Sequence, residues 1–142
     1  MDKEKFFYQL VAFTSSVHRV TNNFTKDVKS DAITPIQYHI LEYLAVSQPL
    51  TLSQISECQH MSMPNTSREI KKLCEKNLCE KFDVEDDRRK QYIRLSKDGE
   101  VMMNEAFKCV EARFLDRIKD ASAEELKEIE HALNILHTRL FY

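Results

Sequence analysis

The chain has one glycine, Gly99, and three prolines in 142 residues. So few breakers favour long uninterrupted helices, and a largely helical fold is expected. A single glycine also rules out a glycine-rich phosphate loop and the nucleotide-dependent enzymes built on one. Cys58, Cys74, Cys79 and Cys109 contain no C-x-x-C pair, and the interval from Cys74 to Cys79 matches no common zinc module. His18, His39, His60, His131 and His137 are scattered and form no H-E-x-x-H pair, and there is no nucleophile elbow. No metal, cofactor or enzymatic activity is expected. The segment MDKEKFFYQLVAF lacks the apolar run of a signal peptide, and no stretch is long enough to span a membrane. A cytoplasmic protein with reduced thiols is therefore expected. The cysteines read as free, buried or half-buried thiols, with an oxidation sensor as the alternative.

An excess of either sign is also lacking: 21 Lys/Arg nearly cancel 23 Asp/Glu, the net being −2. Any basic surface must then be local. Between Arg68 and Arg94 nine Lys/Arg face seven Asp/Glu, whereas from Lys97 to Tyr142 seven face ten. The basic groups sit centrally and the C-terminal arm is acidic.

What is present is strong helical patterning around a compact centre. Phe6, Phe7, Leu10, Val11, Phe13, Val17, Val20 and Phe24 recur mostly three and four residues apart, which predicts a helix from about Glu4 to Ser30. Thr34 followed by Pro35 caps a second helix that turns Ile36, Ile40, Leu41, Leu44 and Ala45 inward. Thr51 opens a short third helix with Leu52, Ile55 and Ser56 packed inward. Ser62 caps a fourth whose first turn tolerates Pro64 and which runs to about Asn77, a residue able to take the left-handed conformation. Leu78–Val84 and Gln91–Leu95 read as the strands of a hairpin with EDDRRK at its tip. A fifth helix follows Ser96–Gly99 through Val101, Met102, Ala106, Val110, Phe114 and Ile118. A sixth, capped by Ser122 against Glu125, carries Leu126, Ile129, Leu133, Leu136 and Leu140. The first helix and the last two have apolar faces larger than a small winged domain needs; one subunit could fold them back on its own core, but a twin subunit is the better account of them.

The fourth helix would present Asn65, Ser67, Arg68, Lys71 and Lys72 outward while burying Ile70 and Leu73. Such a face suits a DNA major groove, and an arginine at a hairpin tip suits the minor groove beside it. The alternative is an ordinary solvated helix face and hairpin tip.

In order of elements and in local sequence the chain resembles the MarR family of winged helix-turn-helix regulators. The resemblance covers nearly the whole chain and is most specific from Leu50 to Gly99: LTLSQIS, SREIKKLCEKNLCEK and DDRRKQYIRLSKDGE. It implies a mainly α fold with a small β-hairpin wing. Residues 34–96 would form the DNA-binding region, and 1–33 with 97–142 a helical dimerisation region. It implies a homodimeric repressor of a palindromic site on double-stranded DNA. DNA contacts are expected at Ser62, Pro64, Asn65, Ser67, Arg68, Lys71, Lys72, Asp87, Arg88, Arg89, Lys90 and Arg94. Of these, Arg89 would enter the minor groove, Asp87 would orient it, and Lys90 and Arg94 would support through phosphates. A small-molecule effector pocket is expected among Phe13, Val17, Tyr38, His39 and Tyr43. The second function class is a protein-interaction module of the same fold that does not bind DNA. The sequence departs from the family's pattern at Pro64, near Val84, and at Asn77, where the family often has glycine.

Overall fold

A computed structural model describes residues 1–84 and 87–142, with backbone alone for 87–89. The chain falls into two compact units, Met1–Val110 and Glu111–Tyr142.

In the first unit, α1 (Lys3–Thr25) starts at Asp2, whose side chain accepts from the Lys5 N–H at 3.1 Å. It ends five residues before the expected Ser30. The Thr21 and Thr25 hydroxyls bond back to the carbonyls of Val17 and Thr21, Lys26 leaves the helical region, and Asp27 is left-handed at φ 59°. Hydroxyls that bond the preceding turn compete with helix continuation. α1 buries none of its residues.

α2 (Pro35–Ser47) begins with the expected Thr34 cap, completed by Gln37. The Thr34 hydroxyl accepts from the Gln37 N–H at 3.2 Å, and the Gln37 side chain accepts from the Thr34 N–H at 3.1 Å. This reciprocal box places Gln37 and Tyr38 inside and leaves Ile36 exposed, contrary to the inward position expected for Ile36. α3 (Leu52–Gln59) repeats the device with Thr51 and Gln54. Its Ile55 and Ser56 are buried as expected, and left-handed His60 ends it.

α4 (Met63–Glu75) is capped by Ser62 and buries Thr66, Ile70 and Leu73. Asn77 then adopts φ 60°, so the asparagine meets the left-handed requirement that a glycine would otherwise meet.

The sheet has three strands in the order β1-β3-β2, all pairs antiparallel: β1 (Leu50–Thr51), β2 (Cys79–Val84) and β3 (Asp87–Leu95). The hairpin expected from the sequence is β2–β3, with Cys79 opposite Leu95 and Phe82 opposite Tyr92. β1, which sequence patterning missed, pairs Leu50 with Ile93 and Thr51 with Tyr92, tying the wing's base to the start of α3.

α5 (Lys97–Arg117) buries Gly99, Met103 and Ala106. Val101 is exposed on it and Met103 buried. The core gathers Ile40, Leu41, Leu44, Ile55, Ile70, Leu73, Ile93 and Met103, each almost fully buried. It thus lies directly beneath α4 and the root of the wing. In the second unit, α6 (Ala123–Arg139) is capped by Ser122, whose hydroxyl oxygen accepts from the Glu125 N–H at 3.1 Å. Ile129, Leu133 and Leu140 are exposed on it.

Candidate nucleic-acid interface

α4 owes its outward face to the fixity of its inward one. Ile70 and Leu73 anchor it in the core, and Thr66 anchors its first turn: Thr66 Oγ1 donates to the Ser62 carbonyl at 2.9 Å and accepts from Ser56 Oγ at 3.0 Å. This buried pair locks α3 to α4. On the opposite side Asn65, Arg68, Lys71 and Lys72 are exposed, and Ser67 is half-buried where the sequence placed it outward. Pro64 occupies the first turn and costs no hydrogen bond there. Ser62 is engaged as the cap, its Oγ accepting from the Asn65 N–H at 3.2 Å.

Three of these four exposed side chains are already paired. Arg68 Nη2 donates to Asn65 Oδ1 at 2.7 Å, and Arg68 Nε to the Pro64 carbonyl at 3.4 Å. Lys72 lies 3.5 Å from Glu69.

The wing continues this surface. Arg94 Nε reaches Glu80 at 3.1 Å and its guanidinium sits 4.5 Å above the Phe82 ring, which stacks on Tyr92. Arg94 is thus held along the wing, where the sequence suggested a freer phosphate contact. Lys90 is exposed and lines a groove with Gln54, Met63 and Tyr92, between the wing and the starts of α3 and α4. Asp87, Arg88 and Arg89 belong to β3, and their side chains lie outside the described residues.

Behind α4 the chain folds back on itself through polar groups. Ser96 Oγ donates to the Asn77 carbonyl at 2.5 Å and accepts from the Gly99 N–H at 3.0 Å, while the Ser96 N–H donates to the Leu78 carbonyl at 3.0 Å. Asn77 Nδ2 reaches Asp98 at 2.8 Å. These bonds weld the end of α4 to the start of α5.

Among the described residues, Tyr38, His39 and Tyr43 of the five expected to line an effector pocket are spread over three hollows. Tyr38 lines a cavity of about 190 Å³ with Val28, Lys29, Ile33, Met103 and Cys109. Tyr38 and His39 share a second hollow with Asn22 and Pro35, and His39 and Tyr43 a third with Cys58. Phe13 and Val17 are exposed on α1 and wall none of these three. The Tyr38 hydroxyl is buried and meets no hydrogen-bond partner among the described residues. Burial, then the charge of Glu42, pushes its pKa up to about 12. Sequence reasoning missed Gln37 and Gln54, although Thr-x-x-Gln announces both boxes.

All four cysteines are free. Cys58 and Cys109 are exposed rather than buried, Cys74 is half-buried and Cys79 buried. Burial drives the Cys79 thiol up to about 12 and raises those of Cys58 and Cys74. Among the described residues no group of three or more His, Cys, Asp or Glu could hold a metal ion. No described helix is long and apolar enough to cross a membrane.

A buried-threonine turn joining two short helices, an exposed polar face on the second, and a hairpin beside it define a winged helix-turn-helix. Residues 33–90 match the sequence profile of the MarR family, and the fold is that of solved MarR family proteins. The chain is 23% identical over 133 residues to the HTH-type transcriptional regulator TcaR of Staphylococcus aureus, covering 92% of this chain and 88% of that one. Its fold superposes on a MarR family protein from Bacillus stearothermophilus with a TM-score of 0.80 at 19% identity, covering 98% of each chain. It also superposes on NadR in complex with 4-hydroxyphenylacetate, with a TM-score of 0.65 at 17% identity over 91% of this chain and 89% of that one.

Proposed function

We propose that the protein is a dimeric repressor that binds a palindromic DNA site through α4 and the wing. The observation that carries this reading is the two-sidedness of α4. Thr66, Ile70 and Leu73 are fully buried, while Asn65, Arg68, Lys71 and Lys72 stand exposed at the turns between them. A helix so anchored can enter a major groove without losing its own packing. Arg68 is suited to guanine and Asn65 to adenine, with Lys71, Lys72 and Lys90 on phosphates. In this proposal Arg89 enters the minor groove, supported by Asp87 and Arg88.

The dimer is supported by α1. Phe6, Phe7, Tyr8, Val11, Phe13 and Val17 are all exposed on a helix that buries nothing. Apolar surface of that extent marks an interaction site. A symmetric pair would set two α4 helices one DNA turn apart. An effector is supported by the Tyr38 cavity, where an acceptor atom of a small aromatic acid would satisfy the orphan hydroxyl.

Selection of bound sequences from random DNA, followed by salt titration on the selected site, tests the proposal. Arg68→Ala and Arg89→Ala should each weaken binding by roughly 1–3 kcal/mol with the dimer intact. Wild-type affinity in both variants overturns the groove assignment. If the protein retains no DNA by sequence, the protein-interaction module is the correct reading.

A further inference from the structure

α4 ends on one more cation, Lys76, and its surroundings differ from those of Lys71 and Lys72. Lys76 Nζ donates to the Ala32 carbonyl at 2.6 Å and to Gln37 Oε1 at 2.9 Å. Gln37 is only 2% exposed, and both the oxygen and the nitrogen of its amide are engaged. Oε1 accepts also from the Thr34 N–H at 3.1 Å, and Nε2 donates to Glu69 Oε2 at 3.1 Å. The other Glu69 oxygen faces Lys72 at 3.5 Å. α4 is thereby fastened at two points, Glu69 and Lys76, roughly 10 Å apart along its axis. Both fastenings run to the start of α2 and the turn before it.

We propose that Gln37, Glu69 and Lys76 form a strut that sets the tilt and depth of α4 in the groove. On this proposal Lys76 is a positioning residue and does not contact phosphate. The proposal rests on the DNA-binding reading above. One attachment point would leave the helix free to pivot, and two fix its direction. Two of the three ammonium donors of Lys76 are spent on protein oxygens, and reaching a phosphate would strip Ala32 and Gln37 of their partner. Gln37 suits the place because its amide accepts on one side and donates on the other. A leucine there would leave Glu69 Oε2 without its donor and Lys76 with the Ala32 carbonyl as its one remaining described acceptor.

The experiment compares binding of the full chain to its selected DNA site and to a scrambled duplex across a salt series. Lys76→Met and Gln37→Leu should each lower affinity for the selected site at least tenfold. Affinity for the scrambled duplex should stay within about twofold, and the salt slope should not change. Lys76→Arg should recover most of the loss. Lys71→Met serves as the contrast, lowering both affinities and reducing the slope by about one. If Lys76→Met behaves like Lys71→Met, Lys76 is a phosphate contact and the strut is wrong. An unchanged ratio of selected to scrambled affinity in Lys76→Met also overturns it. That variant removes no buried atom and decides the matter even if Gln37→Leu fails to fold. Failure of the wild type to prefer any sequence removes the DNA reading itself, a result distinct from either of these.

Discussion

Replacing Gly99 with alanine should destabilise the fold, although alanine is the better helix former. Gly99 lies in the first turn of α5 with ordinary negative φ, so its backbone conformation would accept a side chain. In an open helix the change would stabilise by up to about 1 kcal/mol. Here a β-carbon would run into the Leu78 carbonyl oxygen, with the Leu78 carbonyl carbon 3.1 Å away. That obstacle is backbone and has no rotamer to change. The same oxygen accepts the Ser96 N–H, so relief means drawing α5 away and stretching the weld between α4 and α5. Overpacking of this kind costs about 1–3 kcal/mol, and a weakened buried hydrogen bond adds about 0.5–1.5 kcal/mol. Against the propensity gain, a net loss of about 2 kcal/mol is expected. At roughly 2–4 °C per kcal/mol for a chain of this size, the thermal midpoint should fall by about 4–8 °C. Urea and thermal unfolding of both proteins at one protein concentration supply the measurement, since the stability of the proposed dimer would depend on concentration. A midpoint equal to or above that of the wild type would refute the argument that close approach, and not conformation, selects glycine here.

Thr66→Val keeps the shape of the side chain but removes the bridge between Ser56 and the Ser62 carbonyl. It should cost about 1–3 kcal/mol, read by urea unfolding, and a loss below about 0.5 kcal/mol would show that the buried pair does not lock α3 to α4. Stability should also fall at alkaline pH. Burial keeps the Cys79 and Tyr38 protons on in the folded chain up to about 12, while the unfolded chain releases them near 9.0 and 10.0. Their contribution is therefore complete below about pH 9 and is lost as the pH rises toward 12. Tyr38→Phe should flatten the decline above pH 10, since it removes the proton that burial and the neighbouring Glu42 hold on. An equally steep decline in that variant would remove Tyr38 from the account.

Much of this fold is legible in the sequence because its signals are local. Thr34-Pro35, Ser62 and Ser122 announce helix starts through side chains that reach only three residues. Asn77 likewise marks a helix end by a conformation it can itself adopt. The errors arise where distant parts of the chain decide. Ile36 looked like core by spacing, but Gln37, bonded to Glu69 and Lys76 far along the chain, takes the inward position with Tyr38. β1 is two residues long and exists only because β3 lies beside it. The outward face of α4 was readable from the periodicity of Ile70 and Leu73. That Lys76 is spent on Ala32 and Gln37, more than thirty residues away, was not. The effector residues were least legible, because a cavity is defined by what several elements leave empty.

The bond from Arg68 to Asn65 bears on how a binding site for this protein should be described. In the free protein the asparagine oxygen already holds the guanidinium. A bidentate grip on adenine would draw that oxygen toward the base and loosen the arginine, whereas an arginine committed to guanine would tug on the asparagine. The two side chains would then not vote separately on neighbouring base pairs. A table that scores each position of the operator by itself would misjudge the sites in which both are changed together.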